Sequence, residues 1–118
     1  MITKEEYKAR REEVLKKMSP MSIAILPAGE QKYRNADTEY PFRQESHFYY
    51  LTGFSEPDAL LILKKATKKE ESEFIFFCRA EDKEAQKWVG KRLGPEGAVT
   101  ELGANRAYTM AELPERLP

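Results

Sequence analysis

Between Arg34 and Phe54 the chain reads RNADTEYPFRQESHFYYLTGF, a stretch that gathers Asp37, Glu39, Glu45 and the sole histidine, His47. Arg34, Arg43 and a group of aromatics stand among them. In an extended segment alternate side chains share a face, which would pair Asp37 with Glu39 and Glu45 with His47. Carboxylates and an imidazole are a donor set for Mn²⁺ or Zn²⁺. A hydrolytic metal, however, takes at least three protein ligands on rigid elements with supporting hydrogen bonds. One histidine in 118 residues leaves that set thin. Solvated or ion-paired loop carboxylates account for the same residues.

Nucleophilic chemistry fares no better. Cys78 closes an apolar run, where a thiol is usually inert, and a Cys78–His47 dyad would need a juxtaposition that spacing does not supply. Ser46 lacks the glycines of a nucleophile elbow. Gly90-Lys91 lacks the preceding glycine and the following Ser/Thr of a phosphate loop. Phe48, Tyr49, Tyr50 and Phe54 could stack on bases, but at zero net charge they read as sheet core. Arg34, Arg43 and Gln44 flank the segment. A guanidinium there could clamp a carboxylate ligand, or Arg43 could pair with Asp37 or Glu39 and pin a long loop. Composition and spacing alone stop at an α/β domain without a self-contained active site.

The elements that position these residues follow from the bulk properties and the pattern. A chain of 118 residues fits one domain. Lys+Arg and Asp+Glu each number 20, so charge argues for neither nucleic acid nor a membrane surface. The single cysteine excludes an internal disulfide. The charged N-terminus is unlike a secretory signal, and no apolar run is long enough to span a bilayer. Cytoplasm is the expected location.

Thr3-Lys4-Glu5-Glu6 has the form of a capping box and, with apolar positions recurring to Met18, predicts a helix over 4–18. Residues 21–26 read as a buried strand and 28–45 as a long loop. Phe48 to Leu51 is aromatic and reads as a strand. Residues 59–63 and 73–78 are apolar on both faces and predict a central antiparallel hairpin. Ala85, Trp88, Val89 and Arg92 share one face of a helix predicted over 82–93. A short helical turn over 97–102, a strand at 106–108 and a second capping box at Thr109–Glu112 complete the chain. The expected fold is α/β, with a mixed β-sheet flanked by helices. The final helix starts just before Pro118, which reads as a piece of a longer protein.

The motif Arg34, Asp37, Glu39-Tyr40-Pro41, Phe42-Arg43-Gln44, Ser46, Phe48, Tyr50, Thr52-Gly53-Phe54, Glu56-Pro57-Asp58-Ala59 resembles the N-terminal domain of Xaa-Pro aminopeptidases (aminopeptidase P), relatives of prolidase and creatinase. The likeness continues through Leu60–Leu63 and the segment Trp88-Val89-Gly90-Lys91-Arg92-Leu93-Gly94. It implies that residues 1–118 form one non-catalytic, ribonuclease-H-like domain. A C-terminal "pita-bread" domain, absent here, would carry two Mn²⁺ and hydrolyse the bond before proline. No residue of this chain matches those metal ligands. The resemblance further implies that Trp88 walls the substrate pocket of a neighbouring subunit, an indole face suiting a proline ring. Asp37, Tyr40 and Arg43 would reach the pocket mouth. The partners implied are the catalytic domain, neighbouring subunits and proline-containing peptides. A free-standing interaction or dimerisation module is the alternative. A nuclease is disfavoured, because its strand-end carboxylates are missing apart from Glu73.

Overall fold

Thr3 opens the first helix, α1 (Lys4–Lys17): its hydroxyl accepts from the Glu6 amide at 3.2 Å, as the capping sequence predicts. Glu5 and Glu6 at the start and Lys16 and Lys17 at the end complement the helix dipole. The computed structural model describes residues 2–29, 33–34, 38–39, 44–68, 71–80 and 93–117.

Among the described residues four strands form the main sheet: β1 (Ile23–Pro27), β4 (Leu60–Lys64), β5 (Glu73–Cys78) and β6 (Arg106–Thr109), in the order β1-β4-β5-β6. The first two pairings are antiparallel, and β5–β6 is parallel, so the sheet is mixed as expected. The hairpin predicted from the two apolar runs is β4–β5, registered Leu61 to Phe76 and Leu63 to Phe74. β1 departs from its reading as a buried strand. It lies at the sheet edge and alternates, with Ile23 and Ile25 exposed and Ala24 and Leu26 turned to the core. Within 28–45, read as loop, β2 (Tyr33–Arg34) and β3 (Thr38–Glu39) form a short antiparallel pair.

The larger departure is at 48–51. This run is not a strand but lies within a helix, α2 (Ser46–Thr52). Three causes outweigh its β propensity. The Glu45 carboxylate caps the start by accepting from the Phe48 amide at 2.7 Å. Gly53 ends the helix in the left-handed conformation at φ 69°, its amide bonded to the Tyr49 carbonyl at 2.8 Å. Phe48, Leu51 and Thr52, at i, i+3 and i+4, all face inward. Tyr49 and Tyr50 therefore point outward and are not sheet core.

One sheet face carries the main core. Leu61, Leu63, Phe74, Phe76 and Cys78 pack against Phe48, Leu51 and Phe54, with Val14, Leu15 and Met18 of α1 around them. Phe76 is its aromatic centre, with ring centroids 4.9 Å from Phe54 and 5.8 Å from Phe48. Each such fully buried side chain contributes roughly 1.5–3 kcal/mol by leaving water. On the other face a smaller cluster joins Ile62, Ile75 and Phe77 to Tyr108, Met110 and Leu113.

After Leu93 a short helix, α3 (Gly94–Gly97), runs into a π turn over Ala98–Leu102 that Gly103 closes at φ 82°. The helical turn foreseen at 97–102 thus begins three residues earlier. At the second capping box the Glu112 carboxylate accepts from the Thr109 amide (3.1 Å) and hydroxyl (3.0 Å). A 3₁₀ turn and α4 (Leu113–Arg116) follow. Residues 82–92 of the predicted helix lie outside the described residues.

Candidate functional site

Two polar side chains, Gln44 and Glu56, tie distant parts of the chain to the 53–58 turn. The Gln44 amide is fully used. Its Oε1 accepts from the Gly29 amide at 2.6 Å and the Glu45 amide at 2.9 Å. Its Nε2 donates to the carbonyls of Phe54 at 3.1 Å and Glu56 at 2.8 Å. An amide offers two donors and two acceptor positions, and all four are satisfied. Gln44 thereby fastens the chain leaving β1 and the residue capping α2 to the 53–58 turn. These are the two ends of the 30–43 segment.

Glu56 does the same for a second segment. Its Oε2 accepts from the Leu93 amide at 3.0 Å, and its Oε1 lies 3.4 Å from Nη2 of Arg79. Arg79 follows β5 and Leu93 precedes α3, so one carboxylate touches both ends of the 81–92 segment. The polypeptide makes this turn around Pro57, which is buried, and Asp58, which adopts φ 56°. Asp is among the few residues that tolerate that conformation.

Beside this junction an open groove of about 620 Å³ is lined by Arg10, Gln44, Ser46, Tyr49, Tyr50 and Ser55. Its cation is already engaged: Arg10 Nη1 donates to the Tyr50 carbonyl at 3.0 Å, and its guanidinium sits 4.2 Å over the Tyr50 ring. A second hollow of about 420 Å³ is lined by Ser55, Glu56, Leu93 and Leu102.

The residues proposed from sequence fare differently. Asp37, Tyr40, Arg43 and Trp88 all lie outside the described residues, as does any Arg43–Asp37 pair. Glu45 and His47 do meet, with His47 Nδ1 at 2.9 Å from Glu45 Oε1. The same carboxylate caps α2, and the Phe48 amide followed by the His47 side chain holds its pKa below the ordinary value. Among the described residues no group of three His, Cys, Asp or Glu is placed to hold a metal ion. Burial pushes the Cys78 thiol up to about 12, with Glu56 adding to the shift, so it carries no thiolate at neutral pH. The described part of the site can position and bind, but it presents no bond-breaking group.

Sequence reasoning missed two structural anchors. Gln44 stood in the motif only as a flanking residue, and Glu56 only as part of Glu56-Pro57-Asp58. Gln44 could have been flagged by its place at the border of the 30–43 segment, whereas Glu56 lies 23 positions before Arg79 and gave no such signal. The burial of the Arg11 guanidinium in α1 was likewise not foreseen.

With this geometry established, comparison with known proteins identifies the class. Residues 7–118 match the family model for the aminopeptidase P N-terminal domain, and the chain belongs to that family. It is 44% identical over 117 residues to Xaa-Pro aminopeptidase of Haemophilus influenzae and 39% identical over 116 residues to that of Escherichia coli. These alignments cover 99% and 98% of this chain but 27% and 26% of the relatives. The chain thus spans about a quarter of their length. Among solved structures, aminopeptidase P from Escherichia coli in its low-pH form superposes with a TM-score of 0.91 at 38% identity, over 98% of this chain and 26% of that one. Proline aminopeptidase P II from Yersinia pestis gives 0.90 at 45% identity over the same shares.

Proposed function

We propose that this domain serves a peptidase that removes the N-terminal residue preceding proline, and that it shapes the substrate pocket and subunit contacts without cleaving bonds itself. The observation that carries this is the match of nearly the whole chain to about a quarter of the Xaa-Pro aminopeptidases. The chemistry of the described residues agrees: an engaged arginine, a helix-capping carboxylate and an inert thiol leave positioning as their work.

In this reading Trp88 supplies an apolar wall for the proline ring or the leading side chain, and Asp37, Tyr40 and Arg43 stand at the pocket mouth. The chain flanking both segments that bear these residues is fastened at Gln44 and Glu56. Divalent metal, with two Mn²⁺ as the family resemblance implies, belongs to residues outside this chain; the described residues do not fit such a group. Contacts with a catalytic domain and neighbouring subunits, and a cytoplasmic location, are part of the same proposal.

The test is kinetic. Trp88→Ala in the whole peptidase is expected to raise KM for Xaa-Pro peptides with metal content unchanged. Unaltered KM would remove Trp88 from the pocket. Residues 1–118 alone, supplied with Mn²⁺, are expected to release no amino acid from such peptides. Turnover that persists through purification would overturn the division of labour.

A further inference from the structure

We infer that the outer edge of β1 is a self-association surface: it pairs with β1 of a second copy of this chain, antiparallel, about a two-fold axis at Ala24. An apolar edge strand with open backbone groups and no charge is what points to it.

The backbone directions follow from the β1–β4 pairing. The Lys65 amide donates to the Ser22 carbonyl and the Ala28 amide to the Ala59 carbonyl, each at 2.9 Å. Hydrogen-bonded pairs alternate along an antiparallel ladder, so Ala24 opposite Leu63 and Leu26 opposite Leu61 also bond to β4. Ile23, Ile25 and Pro27 therefore turn their backbone groups to the outer edge, where no strand lies among the described residues. Pro27, with no amide hydrogen to offer a neighbour, suits such an edge. The side chains agree: Met21, Ile23 and Ile25 are 79%, 44% and 54% exposed. Soluble proteins usually blunt an open edge with a lysine or another charge on the strand. Residues 19–28, SPMSIAILPA, carry none. A neutral edge selects a neutral, extended partner over an acidic or basic one.

β1 itself meets that description, and its register fits. With Ile23 opposite Ile25 of the partner subunit, each such pair exchanges both of its N–H···O=C bonds. Ala24 then faces Ala24 of the partner subunit in the closer, non-hydrogen-bonded position, where a methyl group fits. Moving the axis to Ile25 would set Ile23 against Pro27 of the partner subunit and lose a donor on each side. On the exposed face Ile25 stands beside Ile62, and Ile62 beside Ile75. Pairing extends that isoleucine row into the second copy. Lys64 lies beside Ile23 on β4, and the two copies of Lys64 stay three strand spacings apart, about 14 Å, beyond a Debye length. Met110 and Leu113 pack beside Tyr108 at the opposite, β6 edge.

Two short strands bury less than the roughly 1,200 Å² of a stable interface, so the association is weak, with a dissociation constant expected at about 0.1–1 mM. Sedimentation equilibrium of the 118-residue chain from about 10 µM to about 1 mM should show a monomer–dimer transition. Ile25→Lys places a charge on the edge and should raise the dissociation constant at least about tenfold, with Tm unchanged because the side chain is exposed in the monomer. Ile23→Lys should act alike and stands in if the first variant fails to fold. Val99→Lys, at an exposed apolar residue outside β1, should leave the dimer intact. Amide exchange reads the pairing itself. Ile23 and Ile25 should slow severalfold as concentration rises, whereas Ala24 and Leu26, bonded to β4, stay protected throughout. A chain that remains monomeric across this range overturns the inference. So does a dimer indifferent to both lysine variants, or one in which Ile23 and Ile25 exchange at the monomer rate. Protection of these two amides at every dilution of the whole peptidase, with the 118-residue chain monomeric, assigns the edge to the rest of that polypeptide and overturns self-pairing as well.

Discussion

The guanidinium carbon of Arg11 lies 4.2 Å from the centroid of the Phe74 ring, inside the domain and with Arg11 only 4% exposed. Its Nη1 donates to the Leu51 carbonyl and its Nη2 to the Leu102 carbonyl, each at 2.8 Å. Leu51 is in the last turn of α2 and Leu102 ends the π turn, so one cation serves the negative ends of two helical segments. Burial draws the Arg11 pKa down to about 10, which still leaves it charged at neutral pH. Arg11→Ala leaves both carbonyls without their donor and is expected to cost about 2–4 kcal/mol. Arg11→Lys, a point charge that cannot fork to both carbonyls, should recover only part of this. Urea unfolding of the two variants measures the difference. Equal stability of wild type and Arg11→Ala would deny the cation its role.

Glu45 predicts a pH dependence. Its native pKa is lowered from the ordinary 4.5, chiefly by the Phe48 amide and next by the His47 side chain. A carboxylate depressed on folding contributes stability that is fully present above its unfolded pKa and is lost as pH falls through the lowered native value. The stability gap between wild type and Glu45→Gln should therefore be constant above about pH 4.5 and narrow below it. Denaturation curves across that acid range decide the matter; a gap that widens on acidification contradicts the cap.

Cys78 is fully buried with its thiol raised to about 12. A thiol-reactive reagent at neutral pH should modify it only through opening of the fold, so labelling should keep pace with unfolding as denaturant is added. Rapid labelling of the native domain would mean that the β5 end is accessible.

Gly53 tests the correction at α2. It sits at φ 69°, and a Cβ built there would stand 2.5 Å from Cε2 of Tyr7. Gly53→Ala thus combines a left-handed backbone penalty with displacement of the Tyr7 ring. It should destabilise the domain by at least about 1 kcal/mol, visible as a lowered Tm. An unchanged Tm would show that both adjust freely.

Local signals were legible wherever a chemical group acts on its near neighbours. Thr3 and Thr109 announced helix starts because a hydroxyl or carboxylate three residues away reaches the backbone without help from the rest of the chain. The runs at 59–63 and 73–78 announced central strands because they are apolar on both faces. The motif from Arg34 to Ala59, read as a resemblance, led to the family that the comparisons show. The stretch 48–51 was misread because its β-favouring aromatics are outweighed by a cap at Glu45, a left-handed exit at Gly53 and an inward face that exists only once the sheet is beneath it. A helix of seven residues is too short to stand alone.

By itself, then, the amino-acid order determined where regular elements begin and end when their caps are local, which strands must be central, and which family the chain resembles. Tertiary structure alone decided that Ile23 and Ile25 face outward on an edge, that Arg11 serves two helix ends, and that Gln44 and Glu56 draw the roots of two polar segments together. Those outcomes depend on contacts between residues far apart along the chain, and only the packed sheet with its helices brings such residues within hydrogen-bonding distance.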